Sequence, residues 1–344
     1  MLKSPKMKGD VMETLWGYDL GIVHAMQGLG GWLIGPMQLL TFLGREEFYL
    51  LLLPILYWCV SATLGLRIGV ILLLSAGLND LLKMAFALPR PYWVDPTVRI
   101  LSPEPTFGIP SGHAQNAAAV WGVIASVIRT GVAWAAALVL IILIGLSRVY
   151  LGAHFVTDVV AGWLVGVLLL AAFLRWEKPA ALWFRQQGFA TQVLVALAVS
   201  LALVAMSAAL VAWRSASPLP EVWLSNARSA GGADITPISR QPIVTTAGTL
   251  LGLLVGWAWL DRRGGFSAGG TWQRRVLRYL VGLVGLALLW QGLGMVLPRN
   301  DSLLADSLRY ARYALVGGWV TGVGPYLFRR MRLVDTSAAD FVET

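Results

Sequence analysis

IGVILLLSAGLNDLLKMAFALPRP, residues 68–91, is an apolar run of membrane-crossing length with Asn79, Asp80 and Lys83 set into its second half. A bilayer core about 30 Å thick takes about 20 apolar residues in a helix, and residues 68–88 supply that length. Pro89 and Pro91 then stop the helix, because proline lacks the backbone donor and restricts the residue before it. A charge deep in the bilayer costs roughly 3 kcal/mol or more, so Asp80 and Lys83 are expected to face a polar cavity. Three residues apart, they share a helix face and can pair. Lys83 viewed alone also fits a simple ion pair between helices. The stretch thus implies a membrane helix and a polar interior at once.

Similar runs recur on either side. Further spans are expected at about 48–65, 111–128, 132–146, 154–174, 191–213, 243–260, 276–297 and 308–328. A chain that is 57% hydrophobic and 13% charged is not composed like a soluble globule, whose helices would be shorter and amphipathic. The expected fold class is all-α, a polytopic membrane helical bundle with six spans in residues 47–213 and about three more after them. Residues 1–46 read as helices lying at the interface, in pieces at about 14–28 and 31–43. Residues 214–344 read as a polar loop followed by the additional C-terminal spans.

The net charge of +9 is assigned to membrane topology, not to nucleic acid. Lys and Arg gather in short cytoplasmic loops, and no basic groove interleaved with aromatics is visible. Arg67, Arg129, Arg175, Arg262, Arg263, Arg274, Arg275, Arg329 and Arg330 fall on one side of the span order. The loops with Arg90, residues 111–113 and residues 148–154 fall on the other, together with Lys3, Lys6 and Lys8. That places the polar blocks on the non-cytoplasmic side, in a multi-pass protein of the cell (inner) membrane. Trp93, Trp176, Trp183 and Trp223 are expected in interfacial belts, and Arg214, Arg228 and Arg240 on a solvated loop, with contact to a second phosphate or headgroup as the alternative. Cys59 is the only cysteine, so no intrachain disulfide can form.

Two of the three histidines, His113 and His154, fall in the polar blocks; His24 stands apart and is read as a packing or interfacial residue. Arg90 and Arg148 offer planar, permanently charged donor forks that match phosphate oxygens, and Lys83 adds a point charge. Ser111 and Gly112 open a helix, where free N–H groups favour an anion, and Gly112 lets the backbone come close. His154 and Asp158 are four apart on one helix face, so Asp158 can fix the imidazole tautomer and leave the other nitrogen nucleophilic. His113 is the remaining group suited to protonating a leaving alkoxide. A divalent metal on both histidines and Asp158 is the competing reading, opposed by three cations at the same centre.

These blocks resemble the membrane branch of the type 2 phosphatidic acid phosphatase family. Its pattern, K-x6-RP, then PSGH, then SR-x5-H-x3-D, is met by Lys83 with Arg90-Pro91, by Pro110 to His113, and by Ser147-Arg148 with His154 and Asp158. The resemblance implies an α-helical bundle with its site at the bilayer surface and metal-independent hydrolysis of a phosphomonoester or pyrophosphate. It implies that His154 attacks phosphorus and forms a phosphohistidine while His113 protonates the leaving group. Lys83, Arg90, Ser111, Gly112 and Arg148 would hold the phosphoryl oxygens. No cofactor is implied. The implied substrate is a membrane lipid phosphate, such as a polyprenyl phosphate, phosphatidate or sphingoid phosphate, met in the lipid bilayer; homodimerisation stays open. A phospho- or headgroup transferase and a sugar-phosphate phosphatase share the fold, and a lipid transporter or flippase is the alternative of another class.

Overall fold

The computed structural model of the chain describes residues 5–231 and 235–334, the side chains of residues 5–13 and Glu46 excepted. Lys3, Gly232 and the acidic tail beyond Val334 lie outside the described residues, as do the side chains of Lys6 and Lys8. The described residues form helices and loops, with no strand among them.

In chain order the helices are α1 (Pro5–Gly28), α2 (Ile34–Phe42), α3 (Glu46–Ile55), α4 (Ala62–Phe86), α5 (Pro91–Val94), α6 (Gly112–Ile128), α7 (Gly131–Tyr150) and α8 (Val156–Gln186). There follow α9 (Phe189–Ser215), α10 (Glu221–Ser229), α11 (Gln241–Asp261), α12 (Trp272–Ala287), α13 (Leu293–Val296), α14 (Leu303–Gly318) and α15 (Gly324–Arg330). Stops and starts follow from the sequence. Thr130 caps α7 by accepting from the Ala133 N–H at 3.2 Å, and Ser302 caps α14 through Ala305 in the same way. Arg129, at φ 59°, turns the chain out of α6.

Among the described residues six helical stretches are long and apolar enough to cross a membrane: Ala62–Val94, Gly131–Tyr150, Val156–Gln186, Phe189–Ser215, Gln241–Asp261 and Trp272–Val296. The other three expected spans are helical but shorter or broken. Pro54 and a π-helical turn at Leu56–Val60 end the first, since proline removes a helix donor. Helix α6 has 17 residues. The last is interrupted by a π-helical turn at Trp319–Val323 and carries Arg309 and Arg312.

The chain divides into two compact units. The first comprises residues up to Arg45, Asn79–Leu169 and Leu210–Ser239; the second comprises Glu46–Leu78, Leu170–Ala209 and the residues from Arg240. In the first unit, α8 lies against the start of α6 at two glycines. A methyl on Gly162 would sit 2.5 Å from the Ser111 carbonyl oxygen, and one on Gly166 2.6 Å from that of Gln115. Trp93 is fully buried with its ring centroid 6.1 Å from those of Phe107 and Trp223. It therefore belongs to an aromatic core and not to an interfacial belt, whereas Trp176 and Trp183 are exposed. The second unit is built on α11 and α14, where Gly248, Gly252 and Gly256 meet Tyr310, Ala314 and Gly318 backbone to backbone, as small residues allow between membrane helices.

Candidate active site

Several pieces of the first unit deliver the site. Helix α4 ends where Ala87 takes a φ of 50° and Pro89 follows, which leaves Lys83 in its last turn beside the negative dipole end. Arg90 precedes the short α5. The loop 95–110 returns and is tied to the end of α4 by the Gly108 N–H, which donates to the Leu88 carbonyl at 2.9 Å. Only glycine fits there: a methyl at position 108 would lie 2.6 Å from the Pro89 oxygen and 2.9 Å from Asp158 Oδ2. Ser111 opens α6, and its N–H donates to the Asp158 carbonyl at 2.9 Å, so the second and third sequence blocks are joined.

His154 and Asp158 are both buried, with Nδ1 of the imidazole 3.2 Å from Asp158 Oδ2. The Phe155 N–H donates to the same oxygen at 3.0 Å and holds the carboxylate in place. On the other side of the ring, Nε2 lies 3.1 Å from Arg90 Nη1. A guanidinium can only donate, so Nε2 must be the accepting nitrogen and the proton sits on Nδ1, facing Asp158. The nitrogen with the free electron pair therefore points toward the cations.

Arg90 is fully buried and fixed on all sides. It donates to the Thr106 carbonyl at 2.5 Å, the Ala153 carbonyl at 2.7 Å, the Phe107 carbonyl at 3.0 Å and Thr106 Oγ1 at 3.0 Å. Lys83 Nζ donates to the same Thr106 hydroxyl at 3.1 Å. Glu104 and Asp80 are the carboxylates whose charge acts on Lys83. Arg148, also fully buried, donates to Thr41 Oγ1 at 2.5 Å and Ser102 Oγ at 3.1 Å, and pairs with Glu104 at 2.7 Å. Burial would raise the Glu104 carboxyl, but Arg148, Arg90, His113 and Lys83 pull it down to about 2. The four groups from three separated sequence blocks thus act on one carboxylate.

Three polar atoms are left over. Ser111 Oγ, His113 Nε2 and Arg148 Nε are buried and have no hydrogen-bond partner among the described residues. Each such atom costs about 1–3 kcal/mol, which a ligand accepting from them would recover. Gly112 is pressed against Asn79, where a methyl would lie 2.9 Å from Oδ1. Asn79 in turn donates to the Pro110 carbonyl at 3.1 Å and to Gln115 Oε1 at 2.9 Å.

The structure therefore gathers Lys83, Arg90, Ser111, Gly112, His113, Arg148, His154 and Asp158 in one unit. His24 sits apart on the surface, 3.0 Å from Asp95. Reading by motif overlooked Thr106, which joins Lys83 to Arg90, and Thr41 and Ser102, which hold Arg148. Nothing in a hydroxyl residue on a loop or an N-terminal helix signals such a contact; Glu104, the acid nearest the PSGH block in sequence, was the one available clue. One loop arginine is also corrected. Arg214 is not solvated: it donates to the Met84 carbonyl at 2.9 Å and to that of Ala85, capping the open carbonyls of α4.

The model of the PAP2 superfamily matches residues 64–181, and that of a PAP2 superfamily phosphatase transmembrane extension matches residues 244–337. Phosphatidylglycerophosphatase B of Bacillus subtilis (strain 168) is 35% identical over 150 residues, which cover 40% of this chain and 72% of that protein. Sphingosine-1-phosphate phosphatase 1 of Rattus norvegicus is 32% identical over 142 residues, 39% of this chain and 32% of the relative, so the match spans about a third of that longer protein. The crystal structure of a transmembrane PAP2-type phosphatidylglycerolphosphate phosphatase from Bacillus subtilis is similar at 31% identity. It covers 47% of this chain and 86% of that one, with a TM-score of 0.43.

Proposed function

The chain belongs to the PAP2 superfamily of phosphatases and is a multi-pass membrane protein, and from that membership we propose that it hydrolyses a membrane lipid phosphate through a phosphohistidine. The observation that carries the reading is the position of the His154 ring between Asp158 and Arg90, from which its tautomer follows. Asp158 holds the proton on Nδ1, and Nε2 presents its electron pair toward Arg90. A phosphoryl oxygen accepting the hydrogen bond of Arg90 Nη1 in place of the imidazole would free that pair to attack phosphorus. The bond from Nε2 to phosphorus forms as the bond to the leaving oxygen breaks, and His113 gives that oxygen a proton. Water, deprotonated by His113, then attacks the phosphohistidine and releases phosphate. Arg90, Arg148 and Lys83 neutralise the charge spread over the phosphoryl oxygens, work that a metal ion does elsewhere. The unpartnered Ser111 Oγ, His113 Nε2 and Arg148 Nε supply the remaining donors.

The reading extends to substrate and location. A site at the ends of apolar helices admits a lipid head while its tail stays in hydrocarbon, which favours polyprenyl phosphates, phosphatidate or sphingoid phosphates, as monoester or pyrophosphate. The basic loops favour a cell-membrane protein with the site on the non-cytoplasmic side. The test is phosphate release from a panel of lipid and sugar phosphates, with an acid-labile, base-stable phosphoprotein trapped by rapid denaturation. The trapped species should vanish in His154→Ala, and turnover should persist in excess chelator. Turnover that survives His154→Ala would sink the covalent mechanism, and chelator-sensitive turnover restored by a divalent ion would sink the metal-free one.

A further inference from the structure

The second unit holds a cavity of about 440 Å³ lined by Arg299, Arg309 and Arg312 together with Trp290, Met295 and Leu297, and among the described residues no carboxylate lines it. Two of the guanidinium groups are held against one residue. Arg299 donates to the Gly294 carbonyl from Nε at 3.2 Å and from Nη2 at 2.8 Å. Arg312 presses on the same glycine from its side-chain face, where a methyl would lie 2.6 Å from Nη1. Arg312 also lies over the Tyr313 ring at 4.7 Å, and its Nε is buried without a partner. Among the described residues Arg309 donates only to Gln241 Oε1, at 3.0 Å.

The neighbouring carboxylates are already engaged. Asp306 pairs with Arg240 at 3.1 Å, and Asp301 accepts from Gln241 at 3.0 Å. None of the three cavity arginines makes an ion pair among the described residues. Like charges converging in a half-enclosed space repel one another, and an anion bound among them reverses the sign of the interaction. The volume falls within the roughly 300–1,000 Å³ typical of small-ligand sites. Guanidinium forks fit phosphate oxygens, and the apolar part of the lining suits the glycerol or chain end of an amphiphile.

We propose that this cavity is a second anion site, distinct from the His154 centre and independent of the phosphatase reading, which takes a phosphate group. That group belongs either to an anionic lipid headgroup or to free inorganic phosphate. The experiment uses the full-length protein in neutral detergent and follows its unfolding temperature against inorganic phosphate, short-chain phosphatidylglycerol and, as a control, diacylglycerol of the same chain length. Arg299→Gln/Arg312→Gln is expected to weaken apparent binding about tenfold or more. It should leave phosphate release, and the inhibition of that release by phosphate, unchanged. Loss of the phosphatidylglycerol response alone assigns a lipid headgroup; loss of a response to inorganic phosphate assigns a soluble anion. Equal apparent affinities in wild type and variant for both probes, or no saturable response to either, overturns the proposal. If the double variant does not fold, Arg309→Gln carries the same comparison, because that side chain holds only Gln241.

Discussion

The two units bury arginine to different ends. In the first, Arg90 and Arg148 are fully buried and donate to carbonyls and hydroxyls, Arg148 keeping its Nε unpartnered among the described residues, and they stand beside His154, Lys83 and Glu104. In the second, Arg278 is equally buried, but it donates to the carbonyls of Ser267, Ala268 and Gly269 and lies over the Phe266 ring at 5.6 Å. Arg278 ties down a loop. Burial of a cation therefore does not mark a reactive site; what sets Arg90 and Arg148 apart is an imidazole and a carboxylate within hydrogen-bond distance. Glycine divides in the same way. Gly108 and Gly112 make room for polar atoms of the site, whereas Gly248, Gly252 and Gly256 let two helices touch.

The largest effects should fall on the first unit. His154→Ala is expected to lower phosphate release by about 10⁴-fold or more, since removal of a nucleophile leaves only binding and electrostatic help. Asp158→Asn should cost about 10³-fold, because an amide can donate to Nδ1 and drive the proton onto Nε2, the nitrogen that must attack. Both are read as kcat with folding checked by the unfolding temperature. A wild-type rate in Asp158→Asn would break the assignment of the tautomer.

Gly252→Val tests the other half of the comparison. Its side chain would overlap the Ala314 carbonyl, and such overpacking costs about 1–3 kcal/mol, occasionally more. The unfolding temperature should drop while kcat per folded molecule stays constant. A fall in kcat with stability unchanged would mean that the additional helices take part in the chemistry.

How much of this was legible in the chain follows from the kind of interaction. Membrane helices and the three polar blocks were readable, because each is written in local sequence: a run of hydrophobic residues, or a spacing such as His154 to Asp158 on one helix face. The glycine series in α11 was equally local, but its meaning depends on α14, and no span count reveals which helices touch. Trp93 was misplaced because an aromatic near a span end suits an interfacial belt and an aromatic core alike; only Phe107 and Trp223 decide between them. Thr106, Thr41 and Ser102 were invisible, since a hydroxyl becomes a partner of Arg90 or Arg148 only after the chain has folded around it.

Thr106 gives a smaller, more selective prediction. Thr106→Val removes the one oxygen that accepts from both Lys83 and Arg90. Loss of hydrogen bonds to charged groups is worth about 1.5–3 kcal/mol, so kcat/KM should fall roughly tenfold or more. Thr106→Ser, which keeps the oxygen, should recover most of it. Failure of serine to rescue would assign the loss to packing of the loop.

The smallest effect concerns pH. Glu104 faces the fully buried Arg148 but is itself partly exposed, so the pair is worth about 1 kcal/mol or less to stability. Its carboxyl is held at about 2, below the ordinary value of 4.5, and a depressed acid stabilises the folded state only where it is ionised. That contribution is complete above the unfolded value and is lost as the pH falls from about 4.5 toward about 2. Glu104→Gln should therefore unfold at a lower temperature than wild type near neutrality, and the gap should close on acidification through that window. A gap that stays constant from pH 7 to pH 3 would assign the destabilisation to lost packing. A gap that widens on acidification would reverse the sign and remove Glu104 as the counter-charge that keeps Arg148 in place while no phosphate is bound.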